Sequence, residues 1–240
     1  MKKISLALLL GAVLLPNLVH AEAGDWVVRL RATNINPSEK SELGKQTDET
    51  YGAGVAGVLY GTGTNLKVDS NTIPELDISY YFTKNLAAEL ILALGTKHDV
   101  KVDGSGGVLG NNRNLGEVNL LPPTLTLQWH FNPDQTLDPY VGAGVSYVRA
   151  MDDGLTARTA IGNYPIRIDR NNWGAALQAG MDINLQDKWL LNVDVKKIWF
   201  DTDVKVDLSG NPAGLPGGYK KIDNLDVDPW VVSVGFGKKF

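Results

Sequence analysis

The sequence predicts an all-β fold, an eight-stranded antiparallel up-and-down transmembrane β-barrel with long extracellular loops and short periplasmic turns. Three observations support this prediction. Hydrophobicity alternates with a period of two in eight segments, and the connections between these segments alternate between long and short. No apolar run after the first 21 residues is long enough for a transmembrane helix. A closed barrel is the other architecture that satisfies every backbone N–H and C=O group in lipid.

The first 21 residues have the pattern of a cleaved signal peptide. Two lysines precede an apolar stretch over residues 4–15, and Val19-His20-Ala21 supplies the small residues that a signal peptidase requires. The apolar stretch is too short for a membrane anchor, which needs about 20 residues. We expect cleavage after Ala21, with cleavage after Ala23 as an alternative. Residues 22–240 then form the outer-membrane β-barrel.

Composition excludes several classes of protein for this chain. It has no cysteine, so a disulfide framework and a thiolate metal site are both excluded. The formal net charge is −4, and a mildly acidic exported chain is a poor candidate for binding nucleic acid. The mean hydropathy of −0.11 is too low for a helical membrane protein. It is compatible with a barrel whose polar face is turned inward.

The order of segments and connections predicts the topology. The alternating segments lie near 25–34, 73–83, 85–97, 117–131, 138–150, 171–185, 188–204 and 225–240. The long connections, rich in Gly, Asn, Asp and Ser, are 35–72, 98–116, 151–170 and 205–224. The three remaining connections are short. This strict order places all long loops at one end, as in outer-membrane barrels, whereas Greek-key connections in a soluble sandwich would not sort loop lengths in this way.

The parity of each strand assigns its two faces. In the last strand large apolar residues alternate with Ser233, Gly235, Gly237 and Lys239. Alternation alone also fits a soluble sandwich, but aromatic residues cluster at the strand ends, as in the girdles of membrane barrels. These residues are Trp26, Tyr80, Phe82, Trp129, Phe131, Tyr147, Trp173, Trp189, Trp199 and Trp230. We therefore expect the apolar face to contact outer-membrane lipids.

Short motifs follow one another in a specific order and spacing over nearly all of residues 22–240. They are Glu22-Ala23-Gly24-Asp25-Trp26, Leu121-Pro122-Pro123-Thr124-Leu125, Gln128-Trp129, Pro139-Tyr140-Val141-Gly142-Ala143-Gly144, Trp173-Gly174-Ala175-Ala176, Gln178, Gly180, Asp182, Trp189-Leu190, Asn192, Asp201-Thr202 and Asp228-Pro229-Trp230-Val231. In this order and spacing the sequence resembles the outer-membrane protein W family. The resemblance implies a narrow, partly apolar lumen that admits small hydrophobic solutes across the outer membrane. The terminal Phe240 similarly resembles the signal read by the barrel assembly machinery, although Lys238 departs from that pattern.

Charged residues of both signs are predicted to point into the lumen. By parity these are Arg29, Arg31, Asp77, Glu89, Asp182, Asp194, Lys196 and Lys239, together with Gln178 and Tyr81. An eight-stranded barrel is only wide enough for its side chains to fill it, and confined charges should pair because a lone buried charge is too costly. We therefore favour a salt-bridge plug in the lower lumen over an ion pathway.

Two further pairs of residues are candidate transport features. Pro122 and Pro123 have no N–H to donate to a β-ladder. We expect them to weaken the backbone pairing of the fourth predicted strand with both of its neighbours. This could produce a lateral opening in the barrel wall, or only a local bend without a role in transport. Ile91 and Lys196 are candidate gate residues in the lumen. The family resemblance implies an aromatic residue at position 196, and the lysine there could instead pair with Asp194 or Glu89, or favour solutes with a polar end.

Passage of small hydrophobic molecules is thus the predicted function, with no catalytic residue, metal or cofactor. A structural or adhesion barrel whose loops bind a partner is the first alternative, and a lipid-modifying enzyme is the second. The enzyme receives little support, because only His98 and His130 remain after cleavage and they are predicted to lie apart. No serine, histidine and carboxylate share a face near one membrane interface, as a catalytic triad requires.

Overall fold

A computed structural model describes residues 22–93, 95–111, 113–152 and 154–240. The predicted signal peptide therefore lies outside the described residues. Fifteen strands, two α-helices and one 3-10 turn are present in the described part of the chain. In chain order they are β1 (Trp26–Asn36), α1 (Leu43–Tyr51), α2 (Val55–Leu59), β2 (Thr62–Val68), β3 (Asn71–Tyr81), β4 (Leu86–Ala93), β5 (Thr96–Ser105), β6 (Asn114–Leu121), β7 (Thr124–His130), β8 (Leu137–Asp152), β9 (Gly154–Thr159), β10 (Gly162–Ile168), β11 (Asn171–Asn184), the 3-10 turn (Gln186–Lys188), β12 (Trp189–Trp199), β13 (Asp201–Asp207), β14 (Tyr219–Asp226) and β15 (Trp230–Lys239).

Eight of these strands close an antiparallel barrel. Their order around the barrel is β1, β3, β4, β7, β8, β11, β12 and β15, and β15 pairs with β1 to complete the circle. Burial alternates along each strand with a period of two, most regularly in β1, where every second side chain is buried. The predicted eight-stranded up-and-down barrel is confirmed. No helix in the described ranges is long and apolar enough to cross a membrane.

Large apolar and aromatic side chains cover the outside of the barrel. Trp26, Trp129 and Trp189 are about half exposed near the short turns, which form what we name the turn end. Trp173 and Trp230 are exposed at the opposite end, named the loop end. In each girdle aromatic rings contact one another, with ring centroids 4.9 Å apart for Trp26 and Tyr80 and 4.8 Å apart for Tyr147 and Trp173. Exposed apolar rings at both ends of the strands suit the two membrane boundaries.

The long connections form an ordered extension at the loop end. Strand β6 pairs with β8, and β5 and β2 continue that sheet outward. Strands β14, β13, β10 and β9 form a second, four-stranded sheet. Helix α1 packs mainly on β14 and α2. Buried apolar residues from both sheets, including Leu66, Val118 and Leu225, form one core with the upper lumen.

Four predicted strands are divided in the structure. Residues 117–131 break at Pro122 and Pro123 into β6 and β7, and residues 188–204 break at Phe200 into β12 and β13. The predicted strand 85–97 ends at Ala93, and β5 begins at Thr96. Residues 225–226 likewise belong to β14 rather than to the last barrel strand. The alternation of buried residues keeps its phase across the other breaks but shifts by one residue between Ala93 and Thr96. Where the phase is kept, the hydrophobic pattern alone does not reveal where the strand changes partner.

Candidate functional site

A network of charged side chains fills the lumen towards the turn end. Arg29 on β1 binds Asp182 on β11 through two atoms, with Nη2–Oδ2 at 2.5 Å and Nε–Oδ1 at 3.2 Å. Its Nη1 also donates to Ser79 on β3 at 2.6 Å. All three side chains are fully buried. A bidentate guanidinium–carboxylate pair fixes direction as well as charge, so this contact ties opposite walls of the barrel together.

Arg31 makes a second set of contacts one level higher. Its Nη1 lies 3.0 Å from Oδ2 of Asp77, its Nη2 lies 3.0 Å from Oε1 of Glu89, and its Nε donates to Asn192 at 2.7 Å. Glu89 is also 3.4 Å from Nη1 of Arg29. The two arginines therefore share one carboxylate, which links the two levels.

Gln178 connects the remaining carboxylates across the lumen. Its Nε2 lies 2.7 Å from Oε2 of Glu89 and 2.7 Å from Oδ2 of Asp194. Asp194 in turn accepts from Lys196 at 2.6 Å and from Tyr140 at 2.7 Å. The structure thus brings Arg29, Arg31, Asp77, Glu89, Gln178, Asp182, Asp194 and Lys196 into one buried network, which we name the plug. Since the interior of an eight-stranded barrel is only wide enough for its side chains, we expect this network of described residues to occupy the space that a straight aqueous route would need.

Several members of the plug were not singled out from the sequence. Tyr140, Gln128 and Glu75 are buried and bonded to it, with Gln128 Nε2 at 2.8 Å from Glu89 and Glu75 at 3.3 Å from Nζ of Lys196. Glu75 could have been predicted to point into the lumen, because it lies two residues from Asp77 and therefore on the same face of the strand. The sequence indicates the position of Tyr140 less directly. Gly180 on the paired strand has no side chain and leaves the space that the Tyr140 ring occupies.

His130 lies at the turn end of the plug. Its Nδ1 is 2.7 Å from Oδ2 of Asp138, and its Nε2 is 3.1 Å from the hydroxyl of Tyr81. The donor atoms of His130, Asp138 and Asp182 lie within 4.8 Å of one another. A metal ion there would have to displace the bidentate contact from Arg29, and it would compete with the histidine's own hydrogen bonds. Lys239 is buried close to this cluster, and its Nζ has no hydrogen-bond partner in the described part of the chain.

An apolar cavity of about 50 Å³ lies above the plug, and Ile91, Lys196 and Pro122 line it. The other lining residues are mostly apolar. They include Ile35, Ala93, Leu120, Val148, Ile198, Phe200, Val227 and Val231, with Glu75, Thr96, His98 and Thr124 as polar members. A second cavity of about 40 Å³ shares Val68, Leu120, Val148, Phe200 and Val227 with it and extends into the loop-end core. Together they form an apolar space that begins where the charged plug ends.

The barrel seam beside this cavity is interrupted. Pairing between β4 and β7 ends at Ile91 and Thr124, and pairing between β5 and β6 resumes at Thr96 and Leu120. Residues 92–95 therefore face residues 121–123 across the seam, four residues against three, as in a bulge. Apart from residue 94, which is outside the described ranges, no backbone pairing joins these two stretches. Gly95 adopts a left-handed φ of 72° here, a conformation that favours glycine.

The opposite seam, with β8, is interrupted only at the two prolines. Strand β6 pairs with β8 up to Leu121 and Arg149, and β7 pairs with β8 from Thr124 and Ser146 in the same register. Between them the N–H of Tyr147 donates to the carbonyl oxygen of Pro123 at 2.9 Å. The N–H and C=O groups of a residue in an antiparallel ladder face the same neighbour, so Pro123 keeps its carbonyl bond to β8 but cannot supply the N–H that would complete the pair. At β8 the expected weakening therefore amounts to the loss of one backbone donor, while the register continues.

The two histidines that remain after residue 21 lie at different ends of the molecule. His98 is on β5 at the loop-end cavity, whereas His130 is on β7 inside the plug. In the described part of the chain the two histidines therefore do not meet, in agreement with the prediction that they lie apart. The absence of a catalytic, metal or cofactor site stays a prediction.

Comparison with known proteins gives consistent matches over most of the chain. The OmpW family model matches residues 22–240. The uncharacterised outer-membrane protein y4mB of Sinorhizobium fredii is 37% identical over 223 residues, which cover 92% of this chain and 82% of that protein. Outer membrane protein W of Vibrio cholerae is 30% identical over 237 residues, covering 98% and 97% of the two chains. The crystal structure of OprG from Pseudomonas aeruginosa superposes with a TM-score of 0.73 at 29% identity, covering 93% of this chain and 99% of that one.

Proposed function

The chain belongs to the OmpW family and is an outer-membrane β-barrel, and from that premise we propose that it passes small hydrophobic molecules by lateral exit into the bilayer. The observation that carries the proposal is the position of the apolar cavity. It lies directly above the charged plug and beside the unpaired seam at residues 92–95 and 121–123.

The plug supports a sideways route over a straight one. Moving an apolar solute through the network would separate buried ion pairs such as Arg29–Asp182, and breaking a buried pair costs about 3–5 kcal/mol. The cavity wall facing the seam offers Ala93, Leu120 and Pro122 instead. An apolar molecule that leaves there exchanges an apolar wall for acyl chains and breaks no ion pair.

The name of one further relative supports a hydrophobic solute. PahQ of Pseudomonas aeruginosa, the dibenzothiophene metabolism operon protein, is 26% identical over 222 residues, covering 92% of this chain and 90% of that protein. Dibenzothiophene is an apolar aromatic compound. A relative named for an operon of dibenzothiophene metabolism is what we expect if proteins of this kind pass apolar molecules.

Restoring the missing backbone donors tests the lateral exit. We expect a Pro122→Val, Pro123→Thr double variant to pair β7 with β4 over more of its length and so narrow the seam. Uptake of a hydrophobic solute into liposomes should fall severalfold relative to the unaltered protein. Undiminished uptake by the correctly folded variant would exclude the lateral exit.

A matched control separates the seam from a general effect of strand prolines. Pro74 lies on β3 opposite Ala32, away from the interrupted seam, and Pro74→Val should leave uptake unchanged. Since the chain has no cysteine, a reversible block is also available. A Leu92→Cys, Leu121→Cys variant joined by a thiol-cleavable bridge should lose uptake and regain it on reduction.

A further inference from the structure

One polar group of the apolar cavity has no partner. His98 is 4% exposed and lines the cavity. Its Nδ1 lies 2.7 Å from the carbonyl oxygen of Asp69. A carbonyl can only accept, so Nδ1 carries the proton, and in the neutral ring Nε2 is left as an acceptor. No group of the described residues is hydrogen-bonded to this Nε2.

The other polar residues of the cavity are already engaged. Thr96 donates to the carbonyl oxygen of Leu120, and Thr124 donates to Ser146 at 2.9 Å. Lys196 and Glu75 are paired with each other at 3.3 Å, and Lys196 is also bound to Asp194. Within the described part of the cavity wall, Nε2 of His98 is therefore a neutral acceptor without a hydrogen-bond partner. Oε2 of Glu75 also has none, but that carboxylate is already paired with Arg31 and Lys196 through Oε1.

We propose that His98 forms a binding site in this cavity for small apolar molecules that carry one hydroxyl group, such as simple phenols and short alcohols. The hydroxyl donates to Nε2 while the rest of the molecule contacts Ile91, Val148 and Phe200. Because the two adjoining cavities of about 50 and 40 Å³ are smaller than a phenol, the apolar side chains that line both of them must move apart to admit it. A pure hydrocarbon in the same position buries the lone pair without a donor, which lowers its affinity. This inference rests on the proposed function in that it uses the same cavity.

A pair of solutes of equal shape tests the site. p-Cresol and p-xylene differ by one hydroxyl in place of one methyl group. In the protein with 15N-labelled histidine, folded in lipid nanodiscs, p-cresol should shift the Nε2 signal of His98 saturably, and p-xylene should not produce that shift. His130 is an internal control, because both its ring nitrogens are already bonded within the plug.

Variants of His98 give a second readout by equilibrium dialysis, corrected for binding to empty nanodiscs. His98→Leu should bind p-cresol about three- to tenfold more weakly, the effect of one neutral hydrogen bond. It should bind p-xylene at least as tightly as the unaltered protein. His98→Gln, whose amide oxygen accepts a hydrogen bond, should recover part of the loss. The folded state of each variant is checked by heat-modifiable electrophoretic mobility.

The outcomes distinguish this site from the proposed function. Equal binding of p-cresol to the unaltered protein and to folded His98→Leu, or an Nε2 signal that p-cresol leaves unchanged, overturns the site even when both solutes enter liposomes. A His98-dependent preference for p-cresol without any flux into liposomes supports the site and overturns the passage function.

Discussion

Two glycines of β15 leave the space that the lumen arginines occupy. Gly237 is paired with Arg29 and Gly235 with Arg31 across the β1–β15 seam. A Cβ on Gly235 would lie 2.9 Å from Cγ of Arg31 and 2.2 Å from the carbonyl oxygen of Leu30. Small residues opposite long ones are therefore needed to fit two guanidinium groups into so narrow a barrel.

Gly235→Val should destabilise the barrel through this contact. Forcing atoms into a filled interior costs about 1–3 kcal/mol, and here the displaced side chain also holds Asp77 and Glu89. The unfolding free energy in urea, followed by tryptophan fluorescence, should fall by about that amount. Gly44→Ala is the matched control, because a Cβ at Gly44 meets nothing within 4 Å. Equal stability of the two variants would contradict the packing argument.

The Arg29–Asp182 pair offers a test of what the plug contributes. Asp182→Ala leaves a buried guanidinium without its bidentate partner and should reduce stability by about 3–5 kcal/mol. A double change, Arg29→Met with Asp182→Leu, removes both charges and should recover most of that loss, since apolar replacements of buried pairs are often neutral. The same urea titration measures both. A double variant as unstable as the single one would mean that the network depends on the charges themselves.

At the scale of elements, residue parity predicted the strand faces but did not identify side-chain partners. Alternation assigns Arg29, Asp182 and Lys196 to the inner face, and the structure places them there. It carries no information on which of several inner carboxylates each arginine will meet, because that depends on the shear of the closed barrel. The local proline rule located the break at Pro122, but the affected seam follows from register, which the sequence does not encode locally.

The loop-end strands escaped prediction for a different reason. The segments β2, β9 and β10 are short, and glycines adjoin or lie within them, so each resembles a loop when considered alone. Their apolar residues are buried only against segments far away in the chain, as when Leu66 and Leu155 join one core. A signal that depends on distant partners is absent from a short window of sequence.

Helix α1 is tied to the four-stranded sheet by an acid-sensitive contact. The carboxylate of Asp223 accepts from the hydroxyl of Ser41 at 2.5 Å and from the N–H of Glu42 at 2.8 Å. Burial raises the pKa of Asp223 above its ordinary value, although these hydrogen bonds act in the opposite direction. The folded extension therefore holds the proton of Asp223 more tightly than the unfolded chain does.

The stability of the loop-end extension should accordingly rise as the pH falls through this raised pKa, and the gain should be lost as the pH rises again. Limited proteolysis within residues 35–72 measures it. An Asp223→Asn variant has no titrating group at this position and serves as the reference. The cleavage rate of the unaltered protein, divided by that of the variant, should therefore decrease as the pH falls. A ratio independent of pH would show that Asp223 is not responsible.

At the scale of the whole molecule, we expect the plug to exclude ions from the lumen while the proposed lateral route admits apolar solutes. The charges of the plug are paired across the lumen at three levels, from Asp182 through Glu89 to Asp194. In planar bilayers we expect the protein to show no conductance steps of the size given by water-filled porins, while hydrophobic solutes still pass. Steps of porin size from the folded barrel would contradict this arrangement of the lumen.

Recognition of Phe240 by the barrel assembly machinery stays a prediction.

The unpaired stretch between β4 and β7 has a fixed frame, since hydrogen-bonded ladders lie above it and below it. Four residues of extended chain measure about 13 Å along the strand, and that length is the upper limit of the aperture. On the proposed lateral route, a slender chain or a flat ring would cross end-on whatever its length, whereas a bulky three-dimensional cage of similar mass would not. The barrel wall would therefore sort molecules by cross-section rather than by molecular weight.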